Sequence, residues 1–144
     1  MRANPRYTKI YAPNAGHIIT RDNATGLTWS VKVTAERLTI NEAKKFIADL
    51  NSKKYCGFAY WRLPTRVELL SLVDDTRCIP AIDTDAFPNT PIFSTWTSTR
   101  YADGGGEWIV DFYNGHSYVN YRRPIGHVRA VLSSINSHGA GVEG

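Results

Sequence analysis

Between Arg100 and Arg123 the chain gathers side chains suited to recognition: Arg100, Tyr101, Asp111, Tyr113, His116, Tyr118, Asn120, Arg122 and Arg123. Tyr offers rigid amphipathic area, and Asn and Ser offer adaptable hydrogen bonds. The guanidinium groups suit sulfate or carboxylate, and aromatic faces stack on sugar rings. Tyr and Asn are also ordinary strand and turn residues, so composition alone leaves both readings open. Catalytic patterns are missing: there is no GxSxG elbow, P-loop, dinucleotide fingerprint or HExxH. Gly104-Gly105-Gly106 is not followed by a helical pattern and reads as a flexible loop. His17, His116, His127 and His138 lack metal-ligand spacing. Asp74, Asp75, Asp83 and Asp85 offer oxygens to Ca²⁺, but capping and turn formation explain them more simply. No carboxylate pair is singled out for glycoside hydrolysis. The expectation is a protein with no enzymatic activity, metal or cofactor.

The elements that position these residues are partly visible. Asn114-Gly115 lies between two period-two stretches, Glu107 to Tyr113 and His116 to Arg122, and is a strong hairpin signal. A two-residue turn would place Tyr113 opposite His116, Asp111 opposite Tyr118 and Ile109 opposite Asn120. The other face would pair Phe112 with Ser117, Val110 with Val119 and Trp108 with Tyr121, and would face the core. Further strands are expected at Leu27 to Trp29, Phe93 to Ser98 and Val128 to Leu132. Thr39-Ile40-Asn41-Glu42 is a capping box ahead of the helical stripe Ile40, Ala43, Ile47 and Leu50. Thr65-Arg66-Val67-Glu68 is another, ahead of a short apolar helix running to Val73 that should be wedged into the core.

With 144 residues, 42% hydrophobic and 21% charged, the chain fits one soluble domain over residues 1–132, with a flexible tail over 133–144. No apolar run is long enough to span a bilayer, and no secretory signal is visible near Met1. Net charge is +4, but residues 1–66 carry +8 and residues 67–95 carry −4. A basic half can attract polyanions such as sulfated glycan, nucleic acid or anionic lipid; a solvated surface is the plainer reading. Cys56 and Cys78 either close a loop of about twenty residues as a disulfide or stay free and partly buried. Bridging requires their Cα atoms within about 7 Å, which is the expectation here.

Asp22 to Trp29, Trp61-Arg62-Leu63-Pro64-Thr65, Pro80-Ala81-Ile82-Asp83, Phe87-Pro88-Asn89-Thr90, Trp96-Thr97-Ser98-Thr99 and Val128-Arg129 follow one another in order. With these motifs the chain resembles, from about Arg6 to Leu132, the Lcl C-terminal-like domain named after a bacterial collagen-like adhesin. The resemblance implies an α+β, C-type-lectin-like fold, with two short helices packed on small antiparallel sheets and long loops. It also implies an extracellular or cell-surface setting, sulfated glycosaminoglycan as ligand and trimeric assembly, as in the adhesin. It carries over no catalytic residue. Ala130 stands where the family usually has Cys, so a Cys56–Cys78 bridge would be a local substitute. The sugar-holding EPN, QPD and WND motifs of calcium-dependent lectins are missing, as is the cysteine pair of the formylglycine-generating enzymes.

The leading expectation is therefore a non-enzymatic domain that binds carbohydrate in adhesion. The alternative is a protein-binding receptor module of phage or cell surface, including the retroelement-diversified kind. Nucleic acid is the least favoured partner. Arg62, inside the most family-like motif, is expected to pair with a core carboxylate.

Overall fold

The two capping boxes start two helices. Helix α1 (Ile40–Ser52) begins after Thr39, whose hydroxyl accepts from the Glu42 amide while the Glu42 carboxylate accepts from the Thr39 amide. Its stripe buries Ala43 and Leu50 and half-buries Ile40 and Ile47, as the spacing predicts. Helix α2 (Arg66–Leu70) repeats the arrangement with Thr65 and Glu68. Leu69 and Leu72 enter the core, but Val67 is 78% exposed, a correction to the all-apolar wedge. At this length one face can be covered while another remains in solvent.

Glu68 also answers the expectation for Arg62. The guanidinium donates to both its carboxylate oxygens, at 2.7 and 2.8 Å. Hydrogen bonds from Arg62 hold the Glu68 carboxyl below the usual carboxylate range. A carboxyl with a depressed folded pKa contributes stability above its unfolded value and loses it as pH falls through the folded value. Glu68→Gln keeps the capping box and removes the charge. It should cost about 1 kcal/mol at neutral pH, a modest figure because the pair is partly solvated. In urea unfolding, the difference from wild type should shrink as pH falls below about 4. A difference that persists unchanged in acid would contradict this account.

The computed structural model describes residues 5–133. Of the expected tail, only Ser133 lies within the described residues. The architecture is α+β with two small antiparallel sheets. The first has strand order β1 (Tyr7–Ala12), β2 (Gly16–Asp22), β3 (Thr28–Ser30) and β7 (Val131–Leu132). Asp22 ends β2 in a buried position, accepting from the Arg6 guanidinium and the Ala24 amide. Trp29, wholly buried, lies in the main core with Leu69, Phe87, Val110 and Phe112. A second cluster joins Ile19, Leu50, Trp61 and Leu132. The third joins Ala43, Leu63, Trp96, Ile109 and Val128.

The other sheet runs β4 (Ser94–Arg100), β5 (Glu107–Asp111) and β6 (His116–Tyr118). Its register corrects the hairpin. Asp111 lies opposite His116, Val110 opposite Ser117 and Ile109 opposite Tyr118. The connection is therefore Phe112 to Gly115 rather than a two-residue turn. The reason is competition from elsewhere in the chain. The Phe112 carbonyl accepts from the Ala81 amide and the Tyr113 carbonyl from the Ile79 amide, so neither serves the hairpin ladder. Inside the loop the Gly115 amide donates to the Asp111 carbonyl, and the Asn114 side chain accepts from the His116 amide. Gly115 has φ +85°, a conformation that favours glycine. Because the slip is by two residues, side chains keep their faces.

Two burial expectations change for a separate reason, the packing of α1 on Ile109 and of Arg66 on Trp108. Ile109, assigned to the polar face, is buried against α1. Trp108, assigned to the core, is only half-buried. The strand expected to reach Arg122 ends at Tyr118, so the pairings through Val119, Asn120 and Tyr121 do not form.

The cysteines are also corrected. Both are free thiols. Cys56 sits in a 3₁₀ turn (Tyr55–Gly57) packed on the Trp61 cluster, whereas Cys78 is exposed beside the segment that pairs with Tyr113.

Candidate functional site

The nine recognition residues fall into two groups at opposite ends of β5. Its five residues span about 13 Å at the usual strand rise. At the loop end, Asp111 faces His116 across the ladder and accepts from the Tyr118 hydroxyl at 3.1 Å and from the Tyr113 amide at 2.9 Å. His116, Tyr113 and Tyr118 are exposed. Partial burial, followed by the Asp111 charge, raises the Tyr118 hydroxyl pKa, so the phenol stays protonated and donates.

At the opposite end the remaining residues form a corner. Arg100 closes β4, and Tyr101 begins the turn through Gly104-Gly105-Gly106 that returns to β5. The turn is held by the Tyr101 amide on the Gly106 carbonyl, the Gly104 amide on the Tyr101 carbonyl, and the Arg100 guanidinium on the Gly104 carbonyl. Tyr101 meets Trp108 edge-on at 5.5 Å and Tyr121 at 6.5 Å. Tyr121 is 57% exposed, and its hydroxyl donates to Asp103 at 3.3 Å. Beneath them the Arg66 guanidinium lies 3.7 Å from the centre of the Trp108 ring and donates to Ser117. That stacking explains the half-burial of Trp108, since a cation covers a face that was expected to meet the core.

Arg122 and Arg123 follow Tyr121 and are exposed, and the Asn120 side chain accepts from the Arg123 amide. Asn120 and Tyr121 line a small cavity of about 200 Å³ with Gly105, Gly106, Trp96 and Ile40. Gly106 has a packing reason: an added Cβ would come within 3.1 Å of Val119. The corner thus combines two exposed phenol rings, a buttressed indole and several guanidinium groups. Asp103 and Glu107 are its carboxylates. It can stack on a ring and hold an anion.

The acidic segment has a different role. Asp74, Asp75, Asp83 and Asp85 line a cleft of about 570 Å³ with Arg6 and Lys9. Asp74 accepts from Thr76 and Arg77, Asp83 from the Asp85 and Ala86 amides, and Asp85 from Lys9. Asp74 and Asp83 thus fill the turn roles anticipated there, whereas Asp85 pairs with Lys9 of β1. Among the described residues no group of three or more His, Cys, Asp and Glu side chains could hold a metal ion. No helix among them is long and apolar enough to cross a membrane.

Sequence reasoning missed the importance of Arg66 and Trp108 to the corner. Their contact joins α2 to β5, and no local spacing announces it. Tyr121, expected opposite Trp108 on the core side, stands in solvent.

The fold and its exposed corner define an α+β domain with a polar aromatic surface. The family described as the Lcl C-terminal domain matches residues 18–132, and the chain belongs to that family. A comparison with curated proteins finds no match.

Proposed function

We propose that this is a non-enzymatic binding domain for anionic carbohydrate, sulfated glycan in particular, acting in adhesion at a cell surface. The observation that carries the reading is the corner at Tyr101, Trp108 and Tyr121 rimmed by Arg100, Arg122 and Arg123. A sugar ring would lie against the exposed Tyr121 face, and sulfates would meet guanidinium forks that accept planar or tetrahedral anions with two hydrogen bonds. The Asp111, Tyr113, His116 and Tyr118 group would extend contact along a longer chain. Trimeric assembly and the lectin-like kinship belong to the same proposal and would multiply weak contacts by avidity.

The test is binding of a heparin-type oligosaccharide at low and high salt. Exposed charges are screened beyond about 8 Å at physiological ionic strength, so affinity should fall steeply with salt. Arg122→Glu with Arg123→Glu should weaken low-salt binding by about 10–100-fold, or about 1.4–2.8 kcal/mol. Both residues are exposed, so unfolding should change little. Salt-independent binding, or full binding by the double variant, would overturn the electrostatic reading. The protein-binding alternative draws support from the exposed Tyr, Asn and Gly of the same surface, a paratope-like composition. It would be favoured by the absence of binding to any sulfated glycan.

A further inference from the structure

A separate cleft of about 490 Å³ lies where the chain leaving β3 passes the loop ahead of β4. This size falls within the range of small-molecule sites. Its walls are formed by Val31, Val33, Pro88, Pro91 and Phe93, with His127 also lining it. His127 is only 5% exposed. Its Nδ1 lies 2.8 Å from the Thr34 carbonyl, which can only accept, so Nδ1 carries the proton and donates. Burial, with Arg37 nearby, lowers the His127 pKa, so the ring is neutral and Nε2 holds a lone pair. Among the described residues Nε2 has no hydrogen-bond partner. That nitrogen is not sealed from solvent, so its lone pair is open to a donor group entering the cleft.

The mouth is cationic. Lys32 lines the cleft and is exposed. The Arg37 guanidinium lies 4.7 Å from the centre of the Phe93 ring, which in turn stacks near His127. Among the described residues neither Lys32 nor Arg37 is in a salt bridge. Phe93 itself is 48% exposed, leaving apolar surface at the opening.

An open lone-pair acceptor, an apolar wall and unpaired cations outside describe a ligand with a hydroxyl, an apolar edge and a negative charge. We infer that this cleft is a second binding site, for a small hydroxylated carboxylate of monosaccharide size. Its hydroxyl donates to His127 Nε2 and its carboxylate meets Lys32 and Arg37. A terminal uronic acid of a glycan and a free hydroxy acid share this chemistry. The site uses none of the corner residues, so it stands whether or not the corner binds sulfated glycan.

The experiment is a titration followed by NMR amide and imidazole signals, with glucuronate, a glucuronate-terminated disaccharide, glucose and acetate as probes. Glucuronate is expected to shift the signals of His127, Thr34 and Lys32, while glucose and acetate leave them in place. Lys32→Ala and Arg37→Ala alter exposed residues and should each weaken glucuronate by about tenfold, the scale of one charge-assisted hydrogen bond. Lys45→Ala, on the exposed face of α1, should leave glucuronate binding unchanged. Binding by the disaccharide as well as glucuronate assigns the site to glycan ends, and binding by glucuronate alone to free acids. Equal binding of acetate would overturn the hydroxyl contact to His127. No shift with glucuronate, or shifts that survive both alanine variants, would overturn the site.

Discussion

Arg129→Ala is expected to lower the free energy of unfolding by about 3–5 kcal/mol, measured by urea denaturation at neutral pH. Arg129 is buried near the end of the chain's last family motif. It has no carboxylate partner among the described residues. Instead, its guanidinium donates to the carbonyls of Ser30 and Val31 and to the Thr90 hydroxyl, and lies 4.9 Å from the centre of the Phe87 ring. Burial lowers its pKa to about 9, which leaves it charged at neutral pH. The group fastens the exit of β3 to the loop ahead of β4. Truncation opens a cavity and strands buried acceptors, each costing about 1–3 kcal/mol. Relief of burying a cation works in the opposite direction. Arg129→Met separates these effects, because it restores most of the volume but no donor. It should remain destabilising by about 1–3 kcal/mol. A Met variant as stable as wild type would mean that packing volume, not hydrogen bonding, is what Arg129 provides.

Phe112→Ala should cost about 3–5 kcal/mol in the same assay, through loss of a fully buried aromatic from the main core. It also loosens the loop that sets the hairpin register. The Phe112 and Tyr113 carbonyls bind the amides of Ala81 and Ile79, and the buried ring keeps that pairing in place. Tyr118→Ala, on the exposed side of β6, is the control and should alter stability by about 0.5 kcal/mol. Similar losses from both changes would place Phe112 outside the core and undo the register.

These two residues mark where local reading stops. The helices were legible because each capping box and its apolar stripe occupy a few consecutive residues, and Thr39 and Thr65 cap as their sequences suggest. The Asn114-Gly115 signal is equally local, but the segment at Ile79 to Ala81 competes for its backbone from over thirty positions away. Strands β1 and β2 went unread because their exposure pattern is mixed, with few fully buried positions to give a period. A buried cation at Arg129 has no signature in its neighbours, since its partners come from Ser30, Val31 and Thr90. The cysteine spacing suited a bridge, yet the chain packs Cys56 into one cluster and leaves Cys78 at the surface. At the candidate site the residue types were legible. Their division into a loop-end group and a corner was not, because it depends on where β6 ends.

The most direct measurement for the glycan-binding claim is a map of amide shifts on adding a short sulfated oligosaccharide at low salt. The largest changes are expected at Arg100, Tyr101, Asn120, Tyr121, Arg122 and Arg123, all reduced by added salt. Changes centred instead on the helix α1 lysines Lys44 and Lys45, or none at all, would contradict it.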